Sequence, residues 1–110
     1  MGTKGNKLSS ETGKAAEEFV ARIAPLGDIS SKKMFGGYGI FESGKMFALV
    51  NSNGQVFLKV DDTNRGRFEE AGSGSHGKMP YFQIPNFVML DEKSLFEWTR
   101  EAIKLSKGTG

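Results

Sequence analysis

Residues 34–50 read MFGGYGIFESGKMFALV, and the fold turns on what the glycines at 36, 37, 39 and 44 are for. Glycines this dense can wrap a phosphate with backbone amides, or let a neighbouring segment approach a strand closely. The dinucleotide fingerprint needs G-x-G-x-x-G at a strand-to-helix turn. Gly37 and Gly39 fill its first two places, but the third is Glu42 and a strand pattern follows. The P-loop spacing is met by Gly39, Gly44 and Lys45 and fails at Met46, which has no hydroxyl for magnesium. No helix pattern follows Lys45, so no helix N-terminus would face a phosphate.

The strand reading accounts for the same residues. Alternation places Phe35, Gly37, Gly39 and Phe41 on one face and Met34, Gly36, Tyr38 and Ile40 on the other. Two glycines in line form a shallow groove, and a packed neighbour must offset their cost of roughly 0.5–1 kcal/mol each. Further on, Met46, Ala48 and Val50 oppose Phe47 and Leu49, while Val56, Leu58 and Val60 oppose Phe57 and Lys59. Both faces of the sheet are thus apolar. One is expected beneath the chain's own helices. The other, with Phe47, Leu49 and Phe57, is expected to meet a second copy or a protein partner, because soluble chains seldom leave a large apolar patch open. A bulge at the glycines would swap the parity and present Met46 and Ala48 instead.

Turn chemistry fixes the pairing. Ser43-Gly44 and Ser52-Asn53-Gly54 separate the apolar runs by hairpin-length connections, so they form an antiparallel meander. Upstream, Ala16, Phe19, Val20 and Ile23 recur at helical spacing over 10–25, after a Ser9 or Ser10 cap and before Pro25 and Gly27. Downstream, Asp61 or Asp62 caps a short helix bearing Phe68 and Ala71. "MPYFQIP" and "NFVML" read as one or two short strands, with Pro80 and Pro85 marking an edge. Asp91 caps a final helix whose Leu95, Trp98, Thr99, Ala102 and Leu105 share a face, with Leu90 and Leu95 as a hydrophobic staple. The order is α-βββ-α-ββ-α, an α+β fold with helices on one face of an antiparallel sheet.

The bulk numbers agree with one small domain. The chain has 110 residues, 37% hydrophobic and 25% charged, with nine Phe, and residues 9–105 are expected to fold between flexible tails 1–8 and 106–110. It lacks cysteine, which excludes disulfides, thiolate catalysis and zinc ribbons. No apolar run approaches the roughly 20 residues that span a bilayer, and no signal-peptide h-region follows the first lysines, so a cytoplasmic location is expected. The net charge of +2 is small for a nucleic-acid binder.

Other candidate chemistry is sparse. His76 sits in a Gly/Ser-rich loop without an orienting partner in the pattern, and a solvated histidine is expected. The pairs Asp61-Asp62 and Glu69-Glu70 suit a hard cation, but read better as a cap and an exposed helix face. Lys32, Lys33, Lys59, Arg65 and Arg67 form at most a weak phosphate-contacting patch, diluted by neighbouring acids. Neither a catalytic residue, nor a cofactor, nor a metal ligand is assigned.

The blocks "MFGGYGIFESGKMFALV", "VFLKVDDTNRGRFEEAG", "YFQIP" and "LDEKSLFEW" resemble the TfoX N-terminal domain family of competence regulators. The residues that carry the signature are Met34, Phe35, Gly36, Gly37, Tyr38, Gly39, Lys59, Asp61, Asp62, Arg65 and Phe68. The resemblance implies a secretion-chaperone-like α+β fold in which dimers are common. It also implies a non-enzymatic role in activating competence genes alongside other transcription factors. Two departures stand out. The stretch before "YFQIP" is compressed to "SGSHGKMP", and the chain stops soon after the last helix, where full-length competence regulators continue into a second helical domain.

Overall fold

The computed structural model describes residues 3–34 and 36–108, with side chains from Thr12 onward. Helix α1 spans Thr3–Ile23, followed by a 3-10 turn over Ala24–Leu26. Strands β1 (Ile29–Met34), β2 (Gly37–Glu42), β3 (Lys45–Val50) and β4 (Val56–Lys59) precede helix α2 (Arg65–Glu70). Strand β5 (Tyr81–Gln83) and helices α3 (Asn86–Met89) and α4 (Glu92–Ser106) complete the chain. The five strands form one sheet in the order β1-β2-β3-β4-β5, antiparallel throughout. The α+β class therefore stands.

The order of elements differs from expectation in two places. Residues 29–34 form a strand of their own, hairpin-paired to β2 with Met34 opposite Gly37, so the first strand block holds four strands. "NFVML" is instead a single helical turn, α3, entered from Pro85 in extended geometry. Proline's fixed φ suits the approach to a first turn, and Val88 N and Met89 N both donate to the Pro85 carbonyl. Helix α1 starts at Thr3 rather than at a serine cap, and so takes in residues expected to form a tail.

Both hairpin turns follow from their residues. Ser43 and Gly44 each adopt positive φ, the conformation a two-residue hairpin twisted like its strands requires. At the next turn the Asn51 Oδ1 accepts from Asn53 N at 3.0 Å and Gln55 N at 2.9 Å, a side chain standing in for backbone.

The main core lies between the sheet and helices α1, α2 and α4. Ala16, Phe19 and Ile23 descend from α1, Phe68 from α2, and Leu95, Trp98, Ala102 and Ile103 from α4. They meet Ile40, Phe47, Ala48, Val50, Val56 and Leu58 from the strands. The Asp91 carboxylate accepts from Ser94 N at 3.0 Å and Ser94 Oγ at 2.7 Å, fixing the start of α4 as expected. These bonds, the hydroxyl's first, hold the Asp91 carboxyl below the usual range. Leu90 stays 80% exposed, so the expected staple onto Leu95 contributes little.

Candidate functional site

The face of the sheet turned away from the helices builds a second apolar cluster. Leu49 from β3, Phe57 from β4 and Tyr81 from β5 form it, with Met46 packed against them. The register explains the grouping, because Gly39 lies opposite Leu49, and Leu49 opposite Phe57. Residues directly opposite in an antiparallel pair project to the same side. Leu49, Phe57 and Tyr81 are each only 6% exposed. The expected open patch of Phe and Leu is thus the floor of a groove.

Phe47 is not part of it. Between β2 and β3 the register shifts, with Ile40 opposite Ala48 and Phe41 opposite Met46. Phe47 is left as the extra residue of a bulge, and its ring turns into the main core at 0% exposure. Strict alternation puts Phe47 beside Leu49; the bulge, which falls at Phe47 and not at the glycines, separates them and gives Met46 to the groove, whereas Ala48 stays in the core.

The glycines of the opening stretch shape the groove's upper wall. A Cβ on Gly37 would overlap the Val50 carbonyl oxygen, so the close approach of two strands requires glycine there. Over Gly39, the Met34 and Met46 sulfurs come within 3.1 and 3.2 Å of where a Cβ would stand. Strict alternation places Met34 on the Tyr38 face. The hairpin reversal at Gly36 restarts the alternation, and Met34, opposite Gly37, shares that residue's face. Tyr38 faces α1, its hydroxyl 3.1 Å from the position of a Cβ on Gly13. Phe35 lies outside the described residues.

The segment 74–80 closes the other wall. Gln83 N donates to the Gly74 carbonyl at 3.0 Å and His76 N to the Tyr81 carbonyl at 2.8 Å, tying this segment to the outer edge of β5. The His76 ring then stands edge-on to Phe57 with centroids 5.1 Å apart. The expected solvated histidine is half-buried and in place. Met79, 43% exposed, sits at the rim. Together Met34, Met46, Leu49, His76 and Met79 line a cavity of about 340 Å³. Lys45, the cation that a P-loop spacing would use, does not line it. The Lys59 ammonium lies 5.6 Å from the Tyr81 ring centroid, and burial pushes the Tyr81 hydroxyl's pKa up.

The remaining signature residues do not line the groove. Helix α2 begins at Arg65 after Asn64, not at an aspartate cap. Asp61 Oδ1 accepts from Thr63 Oγ1 at 2.6 Å and Thr63 N at 2.8 Å. The hydroxyl bond leads in holding the Asp61 carboxyl below its usual range. Asn64, buried, accepts from Asp61 N at 2.8 Å and donates to the Lys59 carbonyl at 3.2 Å, locking the turn. Asp62 and Arg65 are exposed, and Phe68 packs edge-on to Trp98 at 4.8 Å in the core. Among the described residues, no three or more His, Asp or Glu groups gather as a metal site.

Two constellations escaped the sequence. Arg67 stacks on Trp98 at 4.7 Å from the ring centroid and pairs with Glu101 at 3.0 Å. Glu42 is buried at the foot of β2, where Oε2 accepts from Asp28 N at 3.1 Å and Ser43 Oγ at 3.0 Å. Its Oε1 has Lys107 Nζ at 2.7 Å, joining the sheet to the end of α4. The Lys107 contact, then the Asp28 and Ser43 bonds, hold the Glu42 carboxyl below its usual range. One signal was readable: Glu42 continues the Tyr38 and Ile40 parity, so a carboxylate was due on the helix-covered face.

Residues 21–106 match the TfoX N-terminal domain family. The chain is also similar to the DNA transformation protein TfoX1 of Aliivibrio fischeri, at 31% identity over 81 residues. That alignment covers 74% of this chain and 38% of the relative, so the chain spans well under half of the protein it matches.

Proposed function

Because the chain belongs to the TfoX N-terminal domain family, we propose that it is a non-enzymatic regulatory protein of the cytoplasm. It acts by protein–protein contact in the transcriptional control of competence-type genes, and the groove side of the sheet is its contact surface. The observation that carries this reading is the second apolar cluster, Leu49, Phe57 and Tyr81, on a face that none of the core-forming helices covers. Its adaptable rim of Met34, Met46 and Met79 suits the proposal, since methionine surfaces re-pack around varied partners. The partner is a transcription factor or a second copy of the chain.

Affinity capture from the native host tests the reading, with Met46→Gln and Met79→Glu as controls. Both residues sit at the groove and outside the main core, so the fold is expected to survive. The same transcription factor lost by both folded variants supports the surface, and unchanged capture by both overturns it. A light-scattering mass of one chain at micromolar concentration removes the homodimer.

A second reading, a small-molecule site, draws on the cavity volume of about 340 Å³, within the roughly 300–1,000 Å³ typical of ligand pockets. It predicts a thermal shift on adding the ligand, because binding only the folded state stabilises it. Direct nucleic-acid contact through the exposed Lys32 and Lys33 of edge strand β1 predicts affinity that falls steeply with salt.

A further inference from the structure

Three of the chain's five methionines and its one histidine line the same groove. The Met34 and Met46 sulfurs converge over Gly39, at 3.1 and 3.2 Å from the point a Cβ would occupy, and so lie no more than about 6.3 Å apart. Glycine leaves the space between them open. Opposite, His76 is placed by backbone bonds and not by chance: its amide donates to Tyr81, and its carbonyl accepts from Met79 N at 3.1 Å. Met79, on the same segment, brings a third thioether to the rim.

This donor set is chemically narrow. The chain has no thiolate and the groove lining no carboxylate, which leaves zinc the single His76 imidazole and a hard cation, among side chains, only the neutral oxygens of Tyr38, Asn51 and Ser52. Thioethers are soft ligands that select monovalent copper, and imidazole suits the same ion. An unbranched methionine has the torsional freedom to close on an ion within a cavity of this size. We propose that the groove is a Cu(I) site, with Met34 Sδ, Met46 Sδ and the His76 imidazole as donors and Met79 as the capping thioether. Leu49 and Phe57 form its dry floor.

Anaerobic titration with Cu(I), supplied as its acetonitrile complex in competition with bicinchoninate, tests the assignment. The intact chain should take up one equivalent. His76→Ala and the near-isosteric double variant Met34→Leu/Met46→Leu should each bind at least tenfold more weakly, whereas Met89→Leu, packed against the main core, should bind as the parent does. With Ag(I) as a diamagnetic probe, the methyl resonances of Met34 and Met46 should shift and that of Met89 should not. Failure of the parent chain to hold Cu(I) overturns the proposal, as does undiminished binding by the double variant. Should that variant lose the native circular dichroism spectrum, His76→Ala, altered in a segment outside the main core, decides the question alone.

Discussion

The two faces of the sheet carry similar side chains and are closed by different means. On the helix side, Ile40, Phe47, Ala48 and Leu58 are covered by α1, α2 and α4 and are fully excluded from water. On the groove side, Leu49, Phe57 and Tyr81 are nearly as dry, yet what covers them is methionine side chains, one histidine and a seven-residue segment. The first closure is made by rigid elements that interdigitate. The second is made by side chains with several rotamers and by a segment tied to one strand edge. Nearly the same burial is thus reached by two different kinds of cover.

Truncation should separate them most clearly. Phe47→Ala, in the bulge and wholly within the core, should destabilise by about 3–5 kcal/mol. Leu49→Ala should fall near the low end of the roughly 2–5 kcal/mol range for such changes, since Met46 beside it can collapse into the space. Urea denaturation measures both, and equal losses would erase the distinction between the faces.

Gly37→Ala comes next, at about 1–3 kcal/mol from overpacking, because the added carbon meets backbone and cannot push aside a flexible side chain. Gly39→Ala should cost less, since it meets only the movable ends of Met34 and Met46. The reverse ranking would show that the groove wall is the stiffer one.

The faces should also differ in pH response. The Glu42 carboxyl, on the helix side, is held below its usual range, as are those of Asp61 and Asp91. Stability from these groups is fully present above the unfolded carboxyl range near about 4, and is lost as pH falls through the lower folded values. Glu42→Gln should therefore flatten the acid limb of a stability–pH profile. Tyr81, on the groove side, is shifted up. Its contribution is complete below about pH 10 and declines as pH rises beyond that, so Tyr81→Phe should remove an alkaline decline. An unchanged acid limb in Glu42→Gln would separate Lys107 from any part in holding the sheet to α4.

The smallest effect belongs to neither face. Leu90→Ser, at a position 80% exposed, should change stability by no more than about 0.5 kcal/mol. A larger loss in thermal or urea unfolding would restore the staple.

Much of this was legible in the chain. The apolar stripes of α1 and α4, the Asp91 cap, both hairpin turns and the antiparallel class all rest on interactions within a few residues. Periodicity and turn chemistry are local, so a sequence displays them directly. The family signature was legible too, while the meaning of its parts was not: Tyr38 faces a helix, Met34 a groove, and Asp61 ties a turn.

Tertiary structure alone decided which face each residue serves. The hairpin reversal at Gly36 moved Met34 to the groove, and one extra residue in β3 moved Phe47 out of it. Side-chain parity has a period of two, so a single bulge or turn inverts all that follows, and no local propensity marks where it falls. The placement of His76 on Phe57, and of Glu42 against Lys107, likewise depended on segments distant in sequence coming together. By itself the sequence determined a two-faced antiparallel sheet and the family it belongs to. The register between its strands determined that one face is a core and the other a methionine-lined groove.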